Sequence, residues 1–199
     1  MKKYFLDCGT HFGEGLTFFT KYLSMDDTWK VCSFEANPTT YDYFIKKHKH
    51  DFDYLNCSFM NMAIADYDGS VVFNRETPKS HSNEYKMGGA SSMMPISEWN
   101  PFGTFKEDYN DSVVVKCMDL SAYVEAITNY SKIYIKLDIE GAEFQVLEKM
   151  IKDKTIEKID TLWIEFHDSF FKDKLFYLNR KNNIISYLQN KKINIYEWH

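Results

Sequence analysis

Three acids, Asp7, Glu35 and Asp138, each close a short apolar run that reads as a β-strand. Carboxylates at the carboxyl ends of parallel strands face the crevice where open α/β sheets bind ligands. There they can accept hydrogen bonds from a sugar diol, neutralise a cation or take up a proton. A second group follows Asp138: Glu140 and Glu143 after that strand, and Glu165 and His167 at the end of the next one.

The loop after the first acid reads Asp7-Cys8-Gly9-Thr10-His11-Phe12-Gly13-Glu14-Gly15. Gly9 permits a tight turn, and Gly13 or Gly15 lets a helix start close to the strand and to a ligand. Position 11 is His, so the dinucleotide pattern G-x-G-x-x-G is broken where a backbone must approach a pyrophosphate. Glu14 puts an anion in the first helical turn, where a phosphate would otherwise sit. Both features favour a neutral or cationic adenosine ligand over NAD. Glu35 lies 20 residues after Gly15, the spacing at which an acid reaches a ribose 2′,3′-diol. Met62-Ala63-Ile64-Ala65-Asp66 supplies small residues for an adenine slot. Asp66 reads equally as an adenine partner or as part of the turn with Asp68-Gly69.

These residues need a sheet to align them. Strands are expected at Lys3–Asp7, Lys30–Glu35, Tyr54–Cys57, Ser70–Asn74, Val113–Cys117, Lys132–Asp138, Thr161–His167 and Ile193–Trp198. Apolar residues at helical spacing mark Glu14–Leu23. Asn37 and Pro38 open a helix through about His48, and Asp119 caps one through about Thr128. Further helices follow Gly141, with Phe144, Leu147, Met150 and Ile151 on one face, and lie near Asn183–Asn190. The alternation predicts an α/β fold: one Rossmann-like, doubly wound, mostly parallel sheet, with residues 1–199 forming a single domain. The long segment with Gly88-Gly89, Ser91-Ser92, Pro95 and Pro101 is expected to cover the site near Gly88–Ser92 as a mobile lid. Tyr85, Trp99, Phe102, Phe105, Phe170, Phe171, Phe176 and Tyr177 are either core or a stacking surface for a ring-shaped acceptor.

Asp7-x-Gly9-x-x-x-Gly13 resembles the first motif of class I S-adenosylmethionine-dependent methyltransferases, and Glu35 resembles their second-strand acid. Ile135-Lys136-Leu137-Asp138-Ile139-Glu140-Gly141-Ala142-Glu143, followed by Val146-Leu147, closely resembles the signature of the FkbM-type methyltransferases. Ala63-Ile64-Ala65-Asp66, Asp68-Gly69, Ser91-Ser92 and Val115-x-x-Met118-Asp119-Leu120 are also similar to that family. The resemblance implies S-adenosylmethionine as cofactor, a Rossmann-like methyltransferase sheet and O-methylation of sugars or polyketide-type products. After Thr161–His167 little chain remains for that fold's usual closing pair of strands.

Cofactor contacts are therefore expected at Asp7, Gly9, Thr10, His11, Gly13, Glu35, Ala36, Ala63 and Asp138. Catalytic roles are expected for Asp138, Glu140 and His167, one of which takes the proton of an acceptor hydroxyl. Glu143 reads equally as a further candidate for that proton or as a partner of the helix dipole, and Lys136, inside its strand, pairs with an acid. Asp138, Glu140, Glu165 and His167 could converge on a hard cation, but there is no H-x-x-x-H or comparable ligand pair, so no metal is expected.

Composition narrows the partners. The chain has 199 residues, 44% of them apolar and 17% aromatic, enough for a packed core. A net charge of −5 gives no general attraction to phosphate backbones, so no nucleic-acid partner is expected. Lys46, Lys47 and Lys49 read as the solvated face of a helix. Four cysteines without C-x-x-C spacing fit reduced thiols in a cytoplasmic protein. No apolar stretch approaches the ~20 residues that span a bilayer, so no membrane partner is expected. The alternatives are a ribose 2′-O-methyltransferase, a nicotinamide oxidoreductase and a non-catalytic nucleoside-binding module.

Overall fold

The computed structural model describes residues 2–75, 91–99 and 111–198. Strands are β1 (Lys2–Cys8), β2 (Trp29–Glu35), β3 (Asn56–Asn61), β4 (Ala63–Ala65), β5 (Gly69–Arg75), β6 (Asp111–Asp119), β7 (Tyr130–Leu137), β8 (Thr161–Ile164) and β9 (Asn194–Glu197). Helices are α1 (Glu14–Tyr22), α2 (Pro38–Lys47), α3 (Leu120–Ala126), α4 (Glu143–Lys152) and α5 (Lys174–Asn190).

Six strands form a wholly parallel sheet in the order β3-β2-β1-β7-β8-β9. Covering both faces explains why β2 and β8 are buried along almost their whole length. Successive β1 residues serve opposite faces. Leu6 joins a core with Phe34, Ile135, Phe144 and Leu147, while Phe5 joins one with Leu16, Phe19, Val31 and Phe44. The fold is the expected doubly wound α/β arrangement. Its order reverses between β1 and β7, and that switch sets Gly9 beside Asp138, where the Asp138 amide donates to the Cys8 carbonyl at 3.1 Å.

Side-chain caps start three helices as their sequences require. Asn37 accepts from the Thr39 amide, Asp119 from Ala122 and Asp173 from Phe176. The Asp173 cap starts α5 nine residues before the expected helix near Asn183. Leu175, Phe176 and Leu178 are exposed there, which hides the apolar stripe.

Other expectations are corrected. β3 begins at Asn56 and runs to Asn61, because its pairing with β2 extends to Glu35↔Asn61. β8 pairs only as far as Ile164, so Glu165, Phe166 and His167 lie in the loop beyond it. β5 and β6 pair antiparallel and, with β4 parallel to β6, make a separate three-stranded sheet, β4-β6-β5. The last expected strand, Ile193–Trp198, is present as β9, parallel to β8.

Candidate active site

A cavity of about 350 Å³ opens at the switch between β1 and β7. It is lined by Gly9, Thr10, His11, Glu35, Ala36, Ala63, Asp138 and Glu140, all of them residues singled out in the sequence. Asp7, Gly13 and His167 do not line it. The lining also includes Lys136, Ile139 and Glu165, together with Phe34, Phe73, Met93 and Trp198, which come from scattered elements and carry no local spacing signal. Asp66 is not on the wall; its neighbour Asp68 accepts from the Asp119 amide at 3.0 Å, tying the turn to β6.

The β1 loop is held shut from below. The Gly9 and Thr10 amides both donate to the Phe34 carbonyl at 3.0 Å, and Thr10 Oγ1 lies 2.6 Å from Ser33 Oγ. Gly9 has φ +84°, and a Cβ there would come within 1.7 Å of the Asp138 carbonyl oxygen. Only glycine lets the two loops meet so closely.

Glu35 is buried at the end of β2. Its Oε2 accepts from the His11 amide and its Oε1 from the Asn37 amide, each at 2.8 Å. Burial raises its pKa against the pull of those two bonds. Each oxygen keeps a second lone pair, so the carboxylate can still accept from a diol. Asn61 donates to the Glu35 carbonyl at 2.8 Å and to Ala36, fixing this corner.

Lys136 is the buried cation of the site. Its Nζ lies 3.1 Å from Asp138 Oδ2 and 3.9 Å from Asp7 Oδ1, and it donates to the Gly9 carbonyl. Burial alone would lower its pKa, but Asp138 and Asp7 turn the net shift upward. Asp7 is fully buried, and neither of its carboxylate oxygens has a hydrogen-bond partner among the described residues. Burial lifts its pKa to about 6, with Lys136 and Thr10 pulling the other way.

Beyond β7 the chain turns through Glu140 and Gly141, at φ +53° and +99°. Glu140 and His11, both non-glycine residues in the left-handed region, both line the cavity; such strain gathers at functional sites. The Glu143 carboxylate sits inside this turn, fully buried. It accepts from the Ile139 amide at 3.0 Å and the Gly141 amide at 3.1 Å, and takes His167 Nδ1 at 3.0 Å. It therefore shapes the loop, which goes beyond the helix-dipole role read from its position. His167 Nε2 then faces Glu140 Oε2 at 3.6 Å, Glu165 Oε1 at 3.7 Å and Asp138 Oδ1 at 4.0 Å. Burial opposes protonation of His167, but the surrounding acids, Glu143 foremost, raise its pKa to about 10. Burial and the neighbouring acids push Glu140 well above the usual carboxylate range.

A profile described as Methyltransferase FkbM domain matches residues 7–192. The chain belongs to the FkbM methyltransferase family. Methyltransferase FkbM from Methylobacillus flagellatus, known from its crystal structure, shares the fold. The two superpose with a TM-score of 0.50 at 14% identity, covering 93% of this chain and 37% of that one. This chain therefore spans little more than a third of that FkbM protein's length. No curated protein matches the sequence. Among the described residues no helix is long and apolar enough to cross a membrane.

Two expectations fall partly outside the described residues. Of the lid near Gly88–Ser92, Gly88 to Ala90 lie outside them. Ser91 and Ser92 are buried, and Ser92 is bound to β5 through two backbone bonds with Asn74 and to the Glu140 carbonyl through its hydroxyl. Tyr85, Phe102 and Phe105 also lie outside the described residues. Trp99, Phe171 and Tyr177 are core side chains, Phe176 is exposed, and none of them, nor Phe170, lines the cavity.

Proposed function

We propose that this FkbM-family chain, acting as one catalytic domain, transfers the methyl group of S-adenosylmethionine to a hydroxyl of a small molecule. The observation that carries this reading is the charge of the cavity. Five acidic side chains, Glu14, Glu35, Asp138, Glu140 and Glu165, line it, Glu140 holding its proton more tightly than an ordinary carboxyl, and Lys136 beside them is already paired with Asp138. Such a wall repels a pyrophosphate or a nucleic-acid backbone and attracts an amino group and a sulfonium.

The residues present fit that donor. Glu35 keeps lone pairs for a ribose diol, and Ala63, Ile64 and Met62 offer an apolar slot for a base. The donor, when bound, supplies a methyl group already activated on a cationic sulfur. The protein must then bind, align and exclude water. Asp138 is the residue we assign to take the acceptor's proton: it lines the cavity and is oriented by Lys136. His167, held by Glu143 from its Nδ1 side, presents Nε2 to Asp138 and Glu140 and sets where those acids lie. The free thiols Cys8, Cys32, Cys57 and Cys117 suit a cytoplasmic setting.

The test is transfer of label from methyl-labelled S-adenosylmethionine to a panel of sugars, phenols and polyketide alcohols. Label in a small-molecule hydroxyl is expected. Label only in RNA, or in no acceptor under conditions where the donor binds, would contradict the proposal.

A further inference from the structure

We propose that Asp138, Glu140 and His167 form a binding site for one divalent cation of the Mn²⁺ or Mg²⁺ class, placed to hold an oxygen of the methyl acceptor. The role toward the acceptor rests on the function proposed above; the cation site itself does not.

The three side chains offer ligand atoms that all lie within 4.8 Å of one another. His167 Nε2 stands 3.6 Å from Glu140 Oε2 and 4.0 Å from Asp138 Oδ1, with Glu165 Oε1 at 3.7 Å on a further side. These gaps are too long for hydrogen bonds. They are the gaps expected of atoms sharing one ion, since ligands about 2.1 Å from an octahedral cation sit roughly 3 to 4.2 Å apart.

Two further observations point to a ligand. The His167 side chain is only 3% exposed, and its Nε2 faces three carboxylates at 3.6 to 4.0 Å. Glu140 Oε2 is buried without a hydrogen-bond partner among the described residues. Buried polar atoms aimed at a common point need a partner, and a cation would serve all of them. The surroundings are those of a metal ligand. Glu143 takes the Nδ1 proton at 3.0 Å, which orients the ring and leaves Nε2 free to coordinate. Lys136 holds Asp138 by Oδ2, leaving Oδ1 toward the cluster.

Carboxylate oxygens suit a hard divalent cation, and the single imidazole nitrogen favours Mn²⁺ over Mg²⁺. Three protein donors leave octahedral positions open, and Asp138 and Glu140 lie on the cavity wall. An acceptor with two adjacent oxygens, such as a vicinal diol, could occupy two of those positions.

The experiment is a titration of the chelator-stripped full chain with Mn²⁺, read by the electron paramagnetic resonance of free Mn²⁺, with S-adenosylhomocysteine binding measured in parallel. One site per chain is expected, weakened at least tenfold in both His167→Gln and Asp138→Asn and unchanged in Glu35→Ala. Absence of saturable Mn²⁺ binding by the wild-type chain up to millimolar concentration would overturn the proposal, leaving an imidazolium alone to neutralise the cluster. So would wild-type affinity in both site variants. Loss of S-adenosylhomocysteine binding with the Mn²⁺ site intact would remove the donor reading and leave the cation site standing.

Discussion

His167 Nδ1 and Glu143 Oε1 meet at 3.0 Å, both side chains almost wholly enclosed, and this pair ties the β8 loop to the turn between β7 and α4. Because Glu143 also receives the Ile139 and Gly141 amides, one carboxylate fixes the backbone of Glu140 and the ring of His167 together.

Glu143→Gln should therefore cost about 3 kcal/mol of folding stability, the scale for breaking a buried, hydrogen-bonded charge pair. The pH dependence follows from His167, whose folded pKa is about 10 against 6.5 unfolded. Its stabilisation is fully present below pH 6.5 and is lost as pH rises through about 10. Urea denaturation of the chelator-stripped wild-type chain should show it losing stability across that window. The variant, lacking the largest upward pull on His167, should lose less.

Asp7→Asn should stabilise the chain. The folded pKa of about 6 lies above the ordinary 3.8, so the charged form is penalised in the fold. That penalty is absent below about pH 4 and complete above pH 6, where it reaches roughly 3 kcal/mol. Lys136 loses a partner at 3.9 Å in exchange but keeps Asp138. A net gain of about 1–2 kcal/mol at pH 7.5, vanishing near pH 4, is expected in paired denaturation curves.

Gly9→Ala tests the close approach at the switch point. The new methyl would meet the Asp138 carbonyl in a left-handed backbone, so a loss on the order of 3 kcal/mol is expected. Thermal unfolding with wild-type stability would show that the two loops do not touch.

Much of this arrangement is legible in the sequence because the cues are local. Asn37-Pro38 and Asp119 announce their helices through capping chemistry, and Glu35 announces itself by closing a strand at a fixed distance from Gly15. The rest depends on contacts between distant elements. Lys136 reads only as a paired lysine until β1 and β7 lie side by side and set it between Asp7 and Asp138. Glu143 looks like a first-turn acid until His167 arrives from beyond β8. The three-residue β4 is too short to show a period, and it becomes a strand by pairing Ala63↔Cys117.

Asp138→Asn should keep the fold and most donor affinity while slowing methyl transfer by roughly 100- to 10,000-fold, the range for losing a general base. The side chain is nearly isosteric, so the strand end survives, but the proton-accepting charge does not. A single-turnover assay at saturating donor checks this. A rate within about threefold of wild type would assign the proton to Glu140 or another neighbour.

The proposed function requires the carboxylate-lined cavity to hold an adenosyl sulfonium donor by Glu35, and calorimetric titration with S-adenosylhomocysteine measures that binding. One site per chain is predicted, weakened roughly tenfold to a hundredfold by Glu35→Ala, with no measurable NAD binding. Absence of S-adenosylhomocysteine binding by the wild-type chain, or an affinity untouched by Glu35→Ala, would contradict the account.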